Sequence, residues 1–172
     1  MTQPPSPARL FLAVWPDPKT AGVVDRWRRA LEWPPHARLP MREDLHVTLH
    51  FIGNVARERL EDIADGLAVA FEPHAMTIAA PELWHGGIAV LGADASGPSL
   101  ELRGRLAGAL RALELPLDAR PWRPHLTLAR HAKGMALPEA GPEARWRVGH
   151  YALAESAGGR YKVLRGYPAT SA

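Results

Sequence analysis

The sequence predicts a bilobal chain of mixed helices and strands, in which each lobe repeats the order strand, helix, strand. Three observations predict it. The core His-x-Thr-Leu occurs twice, as His46-Val47-Thr48-Leu49 and as His125-Leu126-Thr127-Leu128. Each copy sits in a run of alternating apolar and polar residues, the pattern of a half-buried strand. Each is also preceded, at nearly the same remove, by an apolar strand (up to Val14 and through Val90) and an amphipathic helix. Equivalent lobes related by a pseudo-two-fold would bring the motif strands face to face, and clefts commonly lie at such a junction.

The elements follow in order. MTQPPSPA is polar and proline-rich, and residues 1–8 read as an extended tail. RLFLAV (9–14) is a buried strand stopped by Pro16 and Pro18. Val23, Val24, Trp27, Ala30 and Leu31 recur at helical spacing over 19–33, and Pro34-Pro35 ends that helix. The first motif strand, DLHVTLHFIG, covers 44–53; a second helix over 56–71 carries Leu60, Ile63, Ala64, Leu67 and Phe71 on one face. AMTIAAP (75–81) and GIAVLGA (87–93) read as strands, and Leu102, Leu106, Leu110 and Leu113 mark a third helix over 98–113. PLDARPWRP is an irregular approach to the second motif strand, HLTLAR, and 134–144 is a loop. The segments 145–156 and 160–167 form a closing hairpin through Ala157-Gly158-Gly159. With 172 residues, 47% of them hydrophobic, one bilobal domain over 1–172 is expected.

Composition narrows the chemistry. The chain has no cysteine, which removes disulfides, thiolate metal sites and cysteine nucleophiles. A net charge of +3 favours anionic partners without identifying one. The short apolar run from Leu10 to Trp15 lacks a basic flank, and no apolar run approaches membrane-spanning length. A soluble, cytoplasmic monomer with no membrane partner is the expectation.

Side chains alternate across a strand, so His46, Thr48 and His50 share one face while Leu45, Val47, Leu49 and Phe51 face the core. His125 and Thr127 likewise oppose Leu126 and Leu128. With eight histidines in the chain, shuffling would give roughly 0.3 His-x-Thr pairs, so two matched copies are a strong signal. Imidazole titrates near neutrality; one copy can accept a proton while the other donates one. Flanking a phosphorus atom, two such groups suit an in-line displacement, with the threonine hydroxyls holding the non-bridging oxygens. Neither metal nor organic cofactor is required. Arg130 would supply a bidentate charge to the phosphate, yet strict alternation places it on the face of Leu126 and Leu128. Only a strand end or a bulge would turn it round.

Competing readings attach to the other residues. His46 and His50 on one face could ligate a metal together with His125 or His131, although neither motif face carries the carboxylate that such sites usually recruit. His36, His74, His85 and His150 read as surface or capping residues. Phe11 and Trp122 are positioned to border the cleft. Arg120, Arg123, Arg130, Lys133, Arg145 and Arg147 make the second half locally basic, which could guide an anionic partner.

LHVTLHFIGNV and PWRPHLTLAR resemble the paired signatures of the two-histidine (2H) phosphoesterases, and among these the bacterial and archaeal RNA 2',3'-cyclic phosphodiesterases, also called 2'-5' RNA ligases. RLFLAVWPD and ALAESAGGRYKVLRGYP resemble that family's opening strand and closing hairpin. The resemblance implies a bilobal α+β fold whose antiparallel sheets line a central cleft, with helices outside. It implies metal-independent hydrolysis of a terminal 2',3'-cyclic phosphate, on RNA or a small cyclic nucleotide, to a 2'-phosphate, with 2'-5' joining as the reverse chemistry. His46 and His125 match the catalytic positions, with His125 as base and His46 as acid; Thr48 and Thr127 match the phosphate-binding positions, and Arg130 an arginine that often follows. His50 departs from the Arg or Lys common at its position. Two further classes fit the same residues: a non-catalytic module for RNA ends, and a phosphodiesterase for another cyclic phosphate or a 2'-5' linked oligonucleotide.

Overall fold

The structure, a computed structural model, describes residues 5–94 and 96–170. Of the expected tail, residues 1–4 lie outside the described residues, 5–7 have no regular structure, and Ala8 already begins a strand. The strands are β1 (Ala8–Val14), β2 (Val47–Val55), β3 (His74–Trp84), β4 (Ile88–Ala93), β5 (His125–Ala129), β6 (Arg145–Val148), β7 (His150–Ala157) and β8 (Arg160–Pro168). The helices are α1 (Pro18–Arg29), α2 (Leu60–Gly66) and α3 (Gly97–Ala112).

All eight strands join one curled antiparallel sheet of order β6-β3-β4-β5-β2-β1-β7-β8. Its halves are equivalent. The order β1-α1-β2 is repeated by β4-α3-β5, and each motif strand occupies the inner edge of its own half. The motif strands are therefore neighbours at the seam, joined by the register pair Val47 and Leu126, and the cleft comes from the curl of the sheet. Beyond the exposed Arg9, β1 is apolar because both its faces are covered. Leu10, Leu12 and Val14 enter the main core, whereas Phe11 and Ala13 meet Ala154, Trp15 and Tyr161 on the cleft side.

The first two helices are shorter than their periodicity predicts, for identifiable reasons, whereas α3 keeps its expected length, displaced by one residue. The Asp17 carboxylate accepts from Thr20 N–H at 2.8 Å and starts α1. The Trp33 indole N–H donates to the Arg28 carbonyl at 2.7 Å, so the chain turns away after Arg29. The second helix stops at Gly66, where an added Cβ would lie 2.7 Å from Leu113. Leu67 and Phe71 are still buried, because the Tyr151 hydroxyl holds the segment beyond the helix, donating to Leu67 O and accepting from Val69 N–H. The expected closing hairpin is half correct. β7 and β8 pair through Gly158 and Gly159, which adopt φ of 59° and 77°, as the tight turn requires. Arg145–Val148, by contrast, separates at Gly149 and pairs with β3 at the far edge of the sheet. Among the described residues no helix is long and apolar enough to cross a membrane.

Candidate active site

The curl encloses a cavity of about 290 Å³ whose lining includes His46, Thr48, His125, Thr127 and Arg130, the five residues singled out in the sequence. The two histidines are held alike. Nδ1 of His46 lies 2.7 Å from Asp44 O, and Nδ1 of His125 lies 2.7 Å from Arg123 O. A carbonyl can only accept, so each Nδ1 carries the hydrogen, and in the neutral ring Nε2 is left as a free base.

The rings differ in setting. His46 sits in an aromatic box of Phe11, Trp15 and Tyr161, with ring centroids 5.1, 5.2 and 4.8 Å away. Burial strips water from the imidazolium and pushes its pKa down to about 4, against the hydrogen bond to Asp44 and with help from the charges of His125 and Arg130. His125 is more open and stands 4.4 Å from the Trp84 ring. Its pKa is also lowered, first by burial and then by the Arg123 and Arg130 charges.

The profile of the 2'-5' RNA ligase superfamily matches residues 15–160, a span that contains both motifs. The chain belongs to this superfamily. A search of curated proteins finds no match. Solved structures agree with the fold. E. coli LigT in apo form is 25% identical, with a TM-score of 0.82 over 97% of this chain and 100% of its own. TT0787 of Thermus thermophilus is 25% identical, with a TM-score of 0.73 over 93% and 97%. E. coli LigT complexed with 3'-AMP, at 24% identity, gives 0.85 over 96% and 99%. Membership of this 2H phosphoesterase superfamily supports phosphodiesterase or 2'-5' ligase chemistry.

Two expectations from alternation are overturned in β2. Leu12 pairs with His50 and Ala13 with Thr48, so Leu49 is an extra, bulged residue. The bulge reverses parity beyond it. His50 is 4% exposed and turns away from His46, with Nε2 donating to Arg103 O at 2.8 Å. It cannot join His46 in a metal set on the cleft face. Phe51, expected in the core, is 52% exposed and lines the cavity.

β5 carries the same device: Val90 pairs with Thr127 and Ala89 with Ala129, leaving Leu128 bulged. Leu128 and Ala129 are both buried, and Arg130 reaches the cleft that alternation denied it. A backbone bridge fixes it there, with Arg130 N–H donating to Arg38 O at 2.8 Å and Arg38 N–H to Arg130 O at 2.9 Å.

Sequence reasoning missed Trp15, Tyr161 and Asp44. Asp44 opens the expected strand 44–53, where alternation already sets it on the face of His46 and Thr48, a carboxylate that the reading of the motif faces overlooked; it lines the cavity and pairs with Arg160 at 3.2 Å. Burial raises its pKa. A second, more open groove of about 580 Å³ adjoins the cavity, lined by Trp84, Trp122, Arg103 and Arg123 as well as Phe51 and His125. The Trp122 indole donates to Thr48 O at 2.9 Å, and the Arg123 guanidinium lies 4.4 Å over the Trp84 ring.

Proposed function

We propose that this protein is a metal-independent 2',3'-cyclic phosphodiesterase acting on RNA ends or small cyclic nucleotides. The observation that carries it is the pair of like-held imidazoles, each with a free Nε2, in one cavity with two hydroxyls and a guanidinium. In the step envisaged, water attacks phosphorus, the bond to the 3'-oxygen breaks, and a 2'-phosphate results. One imidazole takes the water's proton and the other supplies a proton to the 3'-oxygen, so charge and atoms balance. Thr48 and Thr127 hydrogen-bond the non-bridging oxygens, and Arg130 offsets their charge. An alcohol in place of water would run the ligation direction. The 3'-AMP, NADP+ and ATP with which E. coli LigT has been solved are all nucleotides, which suits a nucleotide substrate here.

The proton roles follow from the settings of the rings. The donor must still hold a proton where the acceptor has lost its own. His46, in its aromatic box, gives up its proton first, so it serves as acceptor and His125 as donor, the reverse of the order the resemblance implies. The sign for pH follows. Activity falls as pH drops through about 4, where His46 protonates, and falls again as pH rises through the pKa of His125, which lies below the ordinary 6.5. A plot of kcat/KM against pH is therefore expected to peak on the acid side of 6.5; a plateau running past pH 7 would contradict this assignment.

The direct test is turnover of 2',3'-cyclic AMP in EDTA, with the product identified by chromatography. Release of 2'-AMP is expected. Binding without turnover would favour a module that only holds RNA ends, and restoration of activity by added metal would favour a different chemistry.

A further inference from the structure

The two bulges that shape the cleft are each closed by an arginine from the opposite half of the molecule. Arg28, on α1 between β1 and β2, donates from Nη1 to Leu128 O of β5 at 3.1 Å. Arg103, on α3 between β4 and β5, donates from Nε to Leu49 O of β2 at 3.1 Å. Leu128 and Leu49 are the two bulged residues, each three positions beyond its motif histidine. A bulge removes a carbonyl from its place in the ladder, and a buried carbonyl without a partner is costly. Each crossover helix thus supplies a donor to the bulged residue of the other half's strand.

Further bonds tie each latch to its surroundings. Arg28 is fully buried; its guanidinium pairs with Asp25 at 2.6 Å and donates to Pro40 O at 2.6 Å. It therefore grips both strands of the bridge that fixes Arg130, β5 through Leu128 and the 38–40 segment through Pro40. Arg103 lies 5.4 Å over the Trp122 ring and accepts from His50 at its own carbonyl. It holds both the bulged Leu49 and the inward-turned His50. Bulge for bulge, Phe51 and Arg130 occupy equivalent positions, each the first exposed residue after two buried ones.

We propose that Arg28 and Arg103 are reciprocal positioning residues: Arg28 sets Arg130, and Arg103 sets Phe51, each across the seam. Neither acts on substrate directly. The proposal rests on the function given above, and its test separates the two.

The experiment is a crossed double-mutant cycle read as kcat/KM for 2',3'-cyclic AMP, with the dissociation constant of inorganic phosphate measured alongside. Arg28→Gln is expected to lower kcat/KM on the order of 10²-fold, the cost of a misplacement of about 1 Å. In an Arg130→Ala background the same change should matter within about twofold, because nothing is left to misplace. Arg103→Gln should couple in the same way to Phe51→Ala, and neither latch should couple to the other's target. Equal losses in both backgrounds would mean a general structural role and overturn the proposal, as would Arg28→Gln without effect. Should Arg28→Gln fail to fold, the partly exposed Arg103 with Phe51 decides. If the native protein turns over no cyclic nucleotide, the proposed function fails. The latch of Arg28 is then judged on phosphate affinity, which Arg28→Gln should weaken only while Arg130 is present.

Discussion

Replacing His125 by alanine is expected to cut hydrolysis of 2',3'-cyclic AMP by about 10²–10⁴-fold, the usual contribution of a positioned general acid or base. The fold should survive, because this ring is partly open and, among the described residues, its hydrogen bond goes to the Arg123 carbonyl at the cleft wall. His46→Ala should be as severe, but with some loss of thermal stability, since that ring fills the box formed by Phe11, Trp15 and Tyr161. The variants part company on a substrate whose leaving group needs no proton. On a nucleoside phosphodiester that releases p-nitrophenolate, His125→Ala should recover most of its rate, because the lost proton donor is no longer needed. His46→Ala should not recover, because water must still be deprotonated. Recovery in His46→Ala alone would exchange the two roles. Near-full activity of either variant on the cyclic substrate would end two-histidine catalysis here.

Much of this site was legible in the sequence because the duplicated motif is local. His46 with Thr48 and His125 with Thr127 are two residues apart on extended backbone, and alternation alone puts each pair on one face. Alternation failed three residues on, and for one physical reason in both strands. A bulge is stable only where something satisfies the displaced carbonyl, and the donors are Arg28 and Arg103, remote in sequence from Leu128 and Leu49. No pattern along β2 or β5 records that. Phe51 consequently read as core and His50 as a cleft residue, whereas the structure exchanges them. The aromatic box around His46 was hidden likewise, being assembled from β1, the turn after it and β8. The partnership of Arg145–Val148 with β3 instead of the last two strands is a further long-range fact that Gly149 hinted at but could not decide.

Arg130→Ala should lower kcat/KM on the order of 10²–10³-fold, the range seen when one fixed donor to a developing oxyanion is removed. The cause is specific to its placement. The bulge at Leu128 and the backbone bridge to Arg38 hold its Cα at the cleft wall, so the guanidinium is presented without a search of backbone conformations. Arg130→Lys should restore charge but not the two parallel hydrogen bonds, and so recover only part of the loss. A second readout separates electrostatics from positioning. The Arg130 charge depresses the pKa of both His46 and His125, so its removal lets both imidazoliums form more easily. Both limbs of the pH profile should then move to higher pH in Arg130→Ala and return in Arg130→Lys. A profile that stayed in place while kcat/KM fell would mean that the guanidinium lies too far from the rings to share a phosphate with them. In that event the arginine would serve RNA further from the reacting phosphorus, and the two histidines and two threonines would have to stabilise the transferring group alone.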